Sequence, residues 1–160
     1  MNHLFIVRHA HSPFSGDSDH QRPLSDKGVK QATAAGEFIK QALQSTELPS
    51  APEIICSDAK RTQTTAANIA AVLGCKQPQA ADRFYHATVG DWCDAITTQP
   101  AAMILVGHNP TVSQLVNYLT QQNLPGMVPA SVAHCTLEIA ADGLKLPAQL
   151  VNFFQPNTTS

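Results

Sequence analysis

Hydrophobic residues gather in three short, uninterrupted runs: Leu4–Val7, Ile54–Cys56 and Ala101–Val106. Runs of this length without polar alternation are typical of strands that are covered on both faces, as in a parallel sheet. Longer stretches with helical spacing separate the runs. The pattern therefore predicts strands and helices in alternation, which favours a layered α/β fold.

Two helices are predicted before the third run. Ser25 is a favourable N-cap for the first helix, and the residues behind it at spacings of three and four are Val29, Ala32, Gly36, Ile39 and Leu43. The second helix is predicted from Asp58 or Ala59 to Leu73, because Gly74 is a natural C-terminal stop.

The third run is followed by another helix. Asn109 is expected to be its N-cap and Pro110 its first residue, with a buried face of Val112, Leu115, Val116 and Leu119. A shorter helix is predicted around Gly90–Thr98. It contains Trp92, which is expected to be core or cover.

The C-terminal part has a different pattern. Val132–Ile139 and Gln149–Phe154 are predicted as strands joined across an Asp-Gly turn at residues 142–143, and Pro147 is expected to shorten their pairing. We therefore predict a three-layer α/β/α sandwich whose sheet is mostly parallel, with an antiparallel C-terminal element. Residues 1–155 are expected to form one domain, and residues 156–160 a loose tail.

Composition narrows the class of protein. Apolar residues make up 43% and charged residues 14% of the 160 residues, as in ordinary globular domains, and the formal net charge of −2 disfavours nucleic-acid binding. No apolar run approaches the length that spans a membrane, and no signal peptide is recognised. The four cysteines form no CxxC pair, so we expect reduced thiols and a cytoplasmic protein.

Polar side chains follow each of the three buried runs, and they are Arg8, His9, His11, Ser57, Arg61, His108 and Asn109. Ligands of open α/β sheets bind at the carboxyl ends of the strands, so these side chains are expected to converge. Two arginine forks match the oxygens of a phosphoryl group, and a neutral imidazole is a competent nucleophile. We expect an acceptor on one ring nitrogen of His9 to fix its tautomer.

Three segments in register resemble the motifs of the histidine phosphatase superfamily, the phosphoglycerate-mutase-like proteins. They are Leu4–Ala10, Ser57–Ala66 and Val106–Pro110. A fourth segment, Arg22–Gly28, is similar to one found in SixA-type phosphohistidine phosphatases. The resemblance implies a phosphoglycerate-mutase-like fold and a phosphatase that needs no cofactor or metal.

The resemblance also implies roles for individual residues. His9 would carry the phosphoryl group, Arg8 and Arg61 would bind its oxygens, and His108 would complete the pocket. Ser57 and Asn109 lie within the motifs and are expected to contact substrate. Arg22 is expected either to contact substrate or to hold the early loop, which lies between the first predicted strand and the first predicted helix, through Asp17 or Asp19.

The short chain leaves little room for a lid, which favours a phosphohistidine-bearing protein domain as substrate. A phosphatase of small sugar or nucleoside-type phosphates is the alternative, and a mutase is less compatible with an open site. Either phosphatase should also bind inorganic phosphate or sulfate. The proton donor stays open, with His86, Asp17 and Asp19 as candidates.

Two other classes of protein remain compatible with these residues. His9, His11 and His108 could be ligands of a metallohydrolase, and a phosphate-binding module without turnover would use the same arginines. The remaining histidines, His3, His20 and His134, are interpreted as surface or edge residues without function. Phe84 and Tyr85 are expected to be core or cover.

Overall fold

The computed structural model describes residues 1–14, 18–48 and 50–156, in which four strands alternate with four α-helices and two further strands follow. In chain order they are β1 (Asn2–Arg8), α1 (Asp26–Gln44), β2 (Glu53–Ser57), α2 (Lys60–Leu73), β3 (Gln79–Ala81), α3 (Val89–Ala95), β4 (Ala102–Gly107), α4 (Thr111–Thr120), β5 (Val132–Ala140) and β6 (Gly143–Phe154). Short 3₁₀ helices occupy Asp19–Gln21 and Asp82–Phe84.

The strands form one mixed sheet in the order β3-β2-β4-β1-β5-β6. The first four of these neighbours run parallel, and β5 and β6 add antiparallel pairs at one side. The predicted three-layer α/β fold with an antiparallel C-terminal element is therefore confirmed. The carboxyl ends of β1, β2 and β4 lie at the same edge of the sheet, as parallel strands require.

Alternation along β1 divides the core into two layers. Leu4 and Ile6 face one side of the sheet, where α3 and α4 pack, and Phe5 and Val7 face the other side, where α1 and α2 pack. All four side chains are buried. The uninterrupted apolar run is thus explained by a strand that is covered on both faces.

The helix boundaries agree in part with the sequence. Ser25 caps α1 through its Oγ, which accepts a hydrogen bond from the amide of Gly28 at 3.0 Å, and Gly74 ends α2 with a left-handed φ of 67°. Val29, predicted to be buried, is exposed on α1. The buried face is rotated towards Gly28 and Gln31, because the start of the helix packs against the backbone of His11.

The predicted start of α4 is wrong by one residue. The helix begins at Thr111 with Pro110 at the N-cap position, and Asn109 precedes it. The Asn109 side chain does not cap the helix. Its amide nitrogen donates to the carbonyl of Met127 at 2.8 Å, and its Oδ1 accepts from Ser113 Oγ at 2.6 Å.

The C-terminal hairpin is longer than predicted. β6 begins at Gly143, and Pro147 lies within it, where the pairing with β5 shows irregular register. The edge strand β3 was not predicted, since three polar and small residues form it. Pro156 is buried, and residues 157–160 of the expected tail lie outside the described residues. No helix in the described ranges is long and apolar enough to cross a membrane.

His134 is not a surface or edge residue, as the sequence suggested. It lies on β5 between β1 and β6 and is 5% exposed. Its ring stacks on Phe5 with 4.2 Å between centroids, and its Nε2 lies 3.0 Å from Nδ1 of His3. The side chain is therefore part of the packing between two strands.

Candidate active site

A cavity of about 430 Å³ opens at the carboxyl ends of β1, β2 and β4. Its lining contains the four residues at the centre of the sequence hypothesis, Arg8, His9, Arg61 and His108, together with His11, Ser12, Phe14, Asp19, Arg22, Tyr85, His86, Asn109 and Pro129. Three arginines and four histidines thus face one opening. This is the edge at which ligands of open α/β sheets bind.

A larger cavity of about 690 Å³ lies at the opposite end of the sheet, near the starts of β2 and β4. Glu53 and Lys76 are its charged lining residues, and it contains no histidine or arginine. Whatever its size, this cavity therefore lacks both the nucleophile and the paired arginines of the sequence hypothesis.

His9 is held in one orientation immediately after β1. Its ring Nδ1 lies 2.8 Å from the carbonyl oxygen of Ala10, and its backbone amide donates to the carbonyl of Gly107 at 3.0 Å. A carbonyl can only accept, so Nδ1 carries the proton and Nε2 has the free lone pair. The acceptor that the sequence hypothesis required is present in the structure.

Burial keeps the His9 ring neutral. The side chain is 8% exposed, and desolvation lowers the pKa of His9 to about 3. The hydrogen bond to Ala10 acts in the opposite direction, and the nearby charges of Arg61 and Arg8 lower the pKa further. A neutral imidazole with a free Nε2 is the protonation state that a nucleophile needs.

Arg8 ends β1 and is oriented by backbone. Its Nη1 donates to the carbonyl of Met127 at 2.9 Å, which is the same carbonyl that accepts from Asn109. The Nε of Arg8 is buried and has no hydrogen-bond partner within the described residues. The guanidinium is therefore anchored to the backbone through Nη1.

His108 follows β4 and is fixed by a residue that follows β2. Its Nε2 lies 2.8 Å from Ser57 Oγ, and this hydroxyl oxygen is held in turn by the amide of Ala59, which donates to it at 3.1 Å. The ring centroids of His9 and His108 are 5.3 Å apart. Desolvation, with the charge of Arg61, lowers the pKa of His108 to about 4, so the ring is neutral before an anion binds.

Arg61 reaches the cavity from the first turn of α2 and is 6% exposed. Its Nη1 donates to the carbonyl oxygen of Asp19 at 2.7 Å, and its Nη2 donates to Asp19 Oδ2 at 3.1 Å. The other carboxylate oxygen of Asp19 accepts from Arg22 at 3.0 Å. Arg22 thus ties down the early loop, one of its two predicted roles, while it also lines the cavity.

The segment Arg22–Gly28 holds the backbone just after His9. Ser25 receives the amide hydrogen bond of α1 and also lies 2.6 Å from Nδ1 of His11. A Cβ at Gly28 would overlap the carbonyl of His11, so only glycine permits this approach. The glycine of this segment therefore has a packing reason.

Sequence reasoning missed part of the rim of the cavity. Tyr85, expected to be core or cover, lines the cavity, and its hydroxyl donates to Asp19 Oδ2. Phe14 is also at the opening, 91% exposed, with the Arg22 guanidinium 4.5 Å from its ring centroid. No spacing signal marks either aromatic residue. Trp92 and Phe84 are buried and stacked on each other, as expected.

Two of the three candidate proton donors lie in the part of the chain that the structure describes. His86 lines the cavity and is exposed, and Asp19 lies among arginines, which together with the Tyr85 hydroxyl lower the pKa of its carboxyl. The Tyr85 hydrogen bond is the largest cause. Asp17 lies outside the described residues.

The histidines of the metallohydrolase alternative are engaged separately. Nδ1 of His11 faces Ser25, Nδ1 of His9 faces Ala10, and Nε2 of His108 faces Ser57. Within the described ranges, no group of three histidine, cysteine or carboxylate side chains is arranged to hold a metal ion. The geometry therefore gives this alternative no support.

A buried, neutral His9 lines the same cavity as Arg8 and Arg61 at the carboxyl edge of the α/β sandwich, and a comparison with protein families identifies the class of protein. Residues 4–102 match the sequence model of the histidine phosphatase superfamily, branch 1. The match covers more than half of the chain and includes the strand-end residues of β1 and β2. The chain belongs to this superfamily.

Two curated proteins are similar to most of this chain. An uncharacterized protein of Mycobacterium tuberculosis is 32% identical over 114 residues, which are 68% of this chain and 66% of the relative, just under two thirds of its length. A phosphohistidine phosphatase SixA homolog of Haemophilus influenzae is 26% identical over 139 residues, which are 81% of this chain and 85% of the relative.

Solved structures share the fold over nearly the whole chain. A putative phosphohistidine phosphatase SixA from Agrobacterium tumefaciens has a TM-score of 0.79 at 20% identity, covering 97% of this chain and 98% of that one. The protein histidine phosphatase SixA complexed with tungstate gives 0.76 at 20% identity, with 96% of both chains covered. A mycobacterial glucosyl-3-phosphoglycerate phosphatase gives 0.69 at 16% identity, covering 94% and 98%.

Proposed function

We propose that this protein is a cytoplasmic phosphatase that works through a phosphorylated His9. The observation that carries the proposal is the state of His9: a neutral ring whose Nδ1–H donates to the Ala10 carbonyl, in a cavity that Arg8 and Arg61 also line. Nε2 is the nitrogen with a free lone pair. Phosphorus is an electrophile that such a nitrogen attacks when charge on the oxygens is neutralised.

The reaction has two steps. In the first, the lone pair of His9 Nε2 forms a bond to phosphorus, the bond from phosphorus to the leaving group breaks, and the leaving group takes up a proton from the solvent. In the second, water attacks phosphorus and the bond to Nε2 breaks, which yields inorganic phosphate and regenerates neutral His9. Arg8 and Arg61 stabilise the negative oxygens in both steps.

His108 responds to the charge of the substrate. Its ring is neutral in the empty cavity because of burial and of the charge of Arg61. A bound phosphoryl dianion counteracts these effects, so binding favours protonation of His108 and adds a cationic donor beside the oxygens. Ser57 keeps the ring in place through its contact with Nε2.

The substrate we propose is phosphohistidine on a protein domain. An imidazole leaves phosphorus more readily than an alkoxide, so the reaction needs less help from a general acid. Asp19, a carboxylate of the cavity lining, has a lowered pKa and is poorly suited to donate a proton. The likeness to SixA proteins supports the same substrate class.

A phosphatase of small phosphomonoesters is the second candidate. The solved glucosyl-3-phosphoglycerate phosphatase shares the fold over 94% of this chain, so the fold is compatible with a small substrate. The two candidates differ in the leaving group. A substrate panel that compares a phosphohistidine-bearing protein domain with small phosphomonoesters, at matched concentrations and with a chelator present, separates them.

The nucleophile is tested by trapping the intermediate. Brief turnover of a ³²P-labelled substrate should leave acid-labile, alkali-stable phosphate on the protein, and His9→Ala should abolish both the label and the turnover. His3→Ala serves as the matched control, because His3 lies outside the cavity. An acid-stable label, or near-normal turnover in His9→Ala, would remove His9 as the nucleophile.

A further inference from the structure

Asp19 forms more contacts with cationic and donor groups than any other residue of the cavity lining that the structure describes. Its backbone carbonyl and Oδ2 accept from Arg61 at 2.7 and 3.1 Å, and its Oδ1 accepts from Arg22 at 3.0 Å. The Tyr85 hydroxyl donates to Oδ2 as well. Asp19 therefore joins α2, the segment that contains Arg22, and the residue that follows the second 3₁₀ helix.

The guanidinium of Arg61 is held at both of its terminal nitrogens. Nη1 and Nη2 at the end of the guanidinium face Asp19, whereas Nε is buried without a hydrogen-bond partner in the described part of the chain. Arg22 shows the same pattern, with Nη1 on Asp19, Nη2 on the carbonyl of Ser12 at 3.0 Å, and Nε unpaired. Both guanidinium groups are anchored at their ends.

We propose that Asp19 is a positioning residue that aligns the Arg61 guanidinium for the phosphoryl group, with Arg22 and Tyr85 held by the same carboxylate. The proposal rests on the proposed phosphatase function and extends it. An arginine fork binds phosphate well only in one plane, and a free side chain would have to be ordered when substrate binds. The Asp19 contacts order Arg61 in advance.

This role differs from that of a proton donor. A carboxylate that accepts from two arginines and a tyrosine hydroxyl is stabilised in its charged form, and the pKa of Asp19 is accordingly lowered, first by the Tyr85 hydrogen bond. A general acid must instead be protonated when the leaving group departs. The two roles therefore predict different dependence on the leaving group.

Kinetics with two aryl phosphates distinguish them. Asp19→Ala should lower kcat/KM by about 10- to 100-fold for both p-nitrophenyl phosphate and phenyl phosphate. The loss should be equal because a misaligned Arg61 guanidinium affects the phosphoryl group, which the two substrates share. Asp19→Asn, which keeps one acceptor oxygen, should fall between wild type and Asp19→Ala. Asp142→Asn removes the same charge from the exposed β5–β6 turn and should match wild type. A loss confined to phenyl phosphate would identify a proton donor and overturn the proposal.

A double-mutant cycle tests whether Asp19 acts through Arg61. In an Arg61→Ala background, Asp19→Ala should cause no further loss of kcat/KM on p-nitrophenyl phosphate, because the residue that it aligns is gone. Losses that multiply independently would overturn the proposal. A merely structural role would lower the midpoint of urea unfolding in both backgrounds, and this midpoint is measured on each variant.

Binding of inorganic phosphate separates failure of this proposal from failure of the proposed function. If wild type hydrolyses neither ester, the phosphatase function fails, and calorimetric titration with phosphate still tests Asp19. Asp19→Ala should bind phosphate several-fold more weakly than wild type and than Asp142→Asn. Equal or tighter binding would show that the carboxylate competes with the anion and does not align its partner.

Discussion

The buried His134 predicts a measurable response of stability to acid. Its ring is 5% exposed, stacked on Phe5, with Nε2 against Nδ1 of His3. Desolvation, with the charge of His3, lowers the pKa of His134 to about 4, whereas an unfolded chain has the ordinary value near 6.5. His134→Phe keeps an aromatic ring against Phe5 and removes the titrating group.

The lowered pKa of His134 means that the protein should become less stable as the pH falls. The folded state disfavours protonated His134, so the contribution of neutral His134 to the free energy of unfolding is fully present above pH 6.5. This contribution is lost as the pH falls towards 4, because the unfolded chain takes up the proton first. A shift from 6.5 to about 4 corresponds to about 3 kcal/mol. Between pH 8 and pH 5 the expected loss is about 2 kcal/mol.

The measurement is urea unfolding of wild type and His134→Phe at pH 8 and at pH 5. His9 and His108 also have lowered pKa values, and their contribution is common to both proteins and cancels in the comparison. The free energy of unfolding should fall by about 2 kcal/mol less in His134→Phe than in wild type. The same pH dependence in wild type and His134→Phe would refute the reasoning.

Three further predictions concern the cavity and its support. Arg61→Ala should lower kcat/KM by about 100-fold or more, since a lost charge-stabilising donor costs about 3 kcal/mol, and steady-state kinetics showing a loss below tenfold would contradict this. Gly28→Ala should destabilise the protein by about 1–3 kcal/mol in urea unfolding, because its Cβ would overlap the carbonyl of His11. Gly126→Ala, where a Cβ would meet open space, is the control, and equal stability of both variants would contradict the packing argument. Activity should persist after dialysis against a chelator, and loss that zinc or magnesium restores would instead favour the metal alternative.

The sequence was most informative where burial is complete. The runs that became β1, β2 and β4 are apolar on both faces, so their ends could be located, and the polar residues beyond them could be assigned to one edge of the sheet. Three segments that each carry an arginine or a histidine follow parallel strands, and a core does not need such side chains there. For that reason the convergence of Arg8, His9, Arg61 and His108 could be predicted.

Long-range polar contacts could not be predicted in the same way. Tyr85 meets Asp19 across 66 positions in the chain, and no periodicity or capping rule connects them. The misplaced start of α4 has a similar origin, since Asn109 uses its side chain on Met127 and not on the helix. His134 was misjudged because a histidine in a strand carries no signal of whether the adjacent strand covers it.

One backbone atom joins distant parts of the site. The carbonyl oxygen of Met127 accepts from Arg8 and from Asn109, although residue 127 lies beyond the segment 4–102 that matches the family. A main-chain oxygen accepts these bonds with any side chain attached, so the identity of residue 127 is under little constraint from them. The length of the connection between α4 and β5 is constrained instead, and insertion or deletion of a single residue there should disturb Arg8 more than most substitutions do.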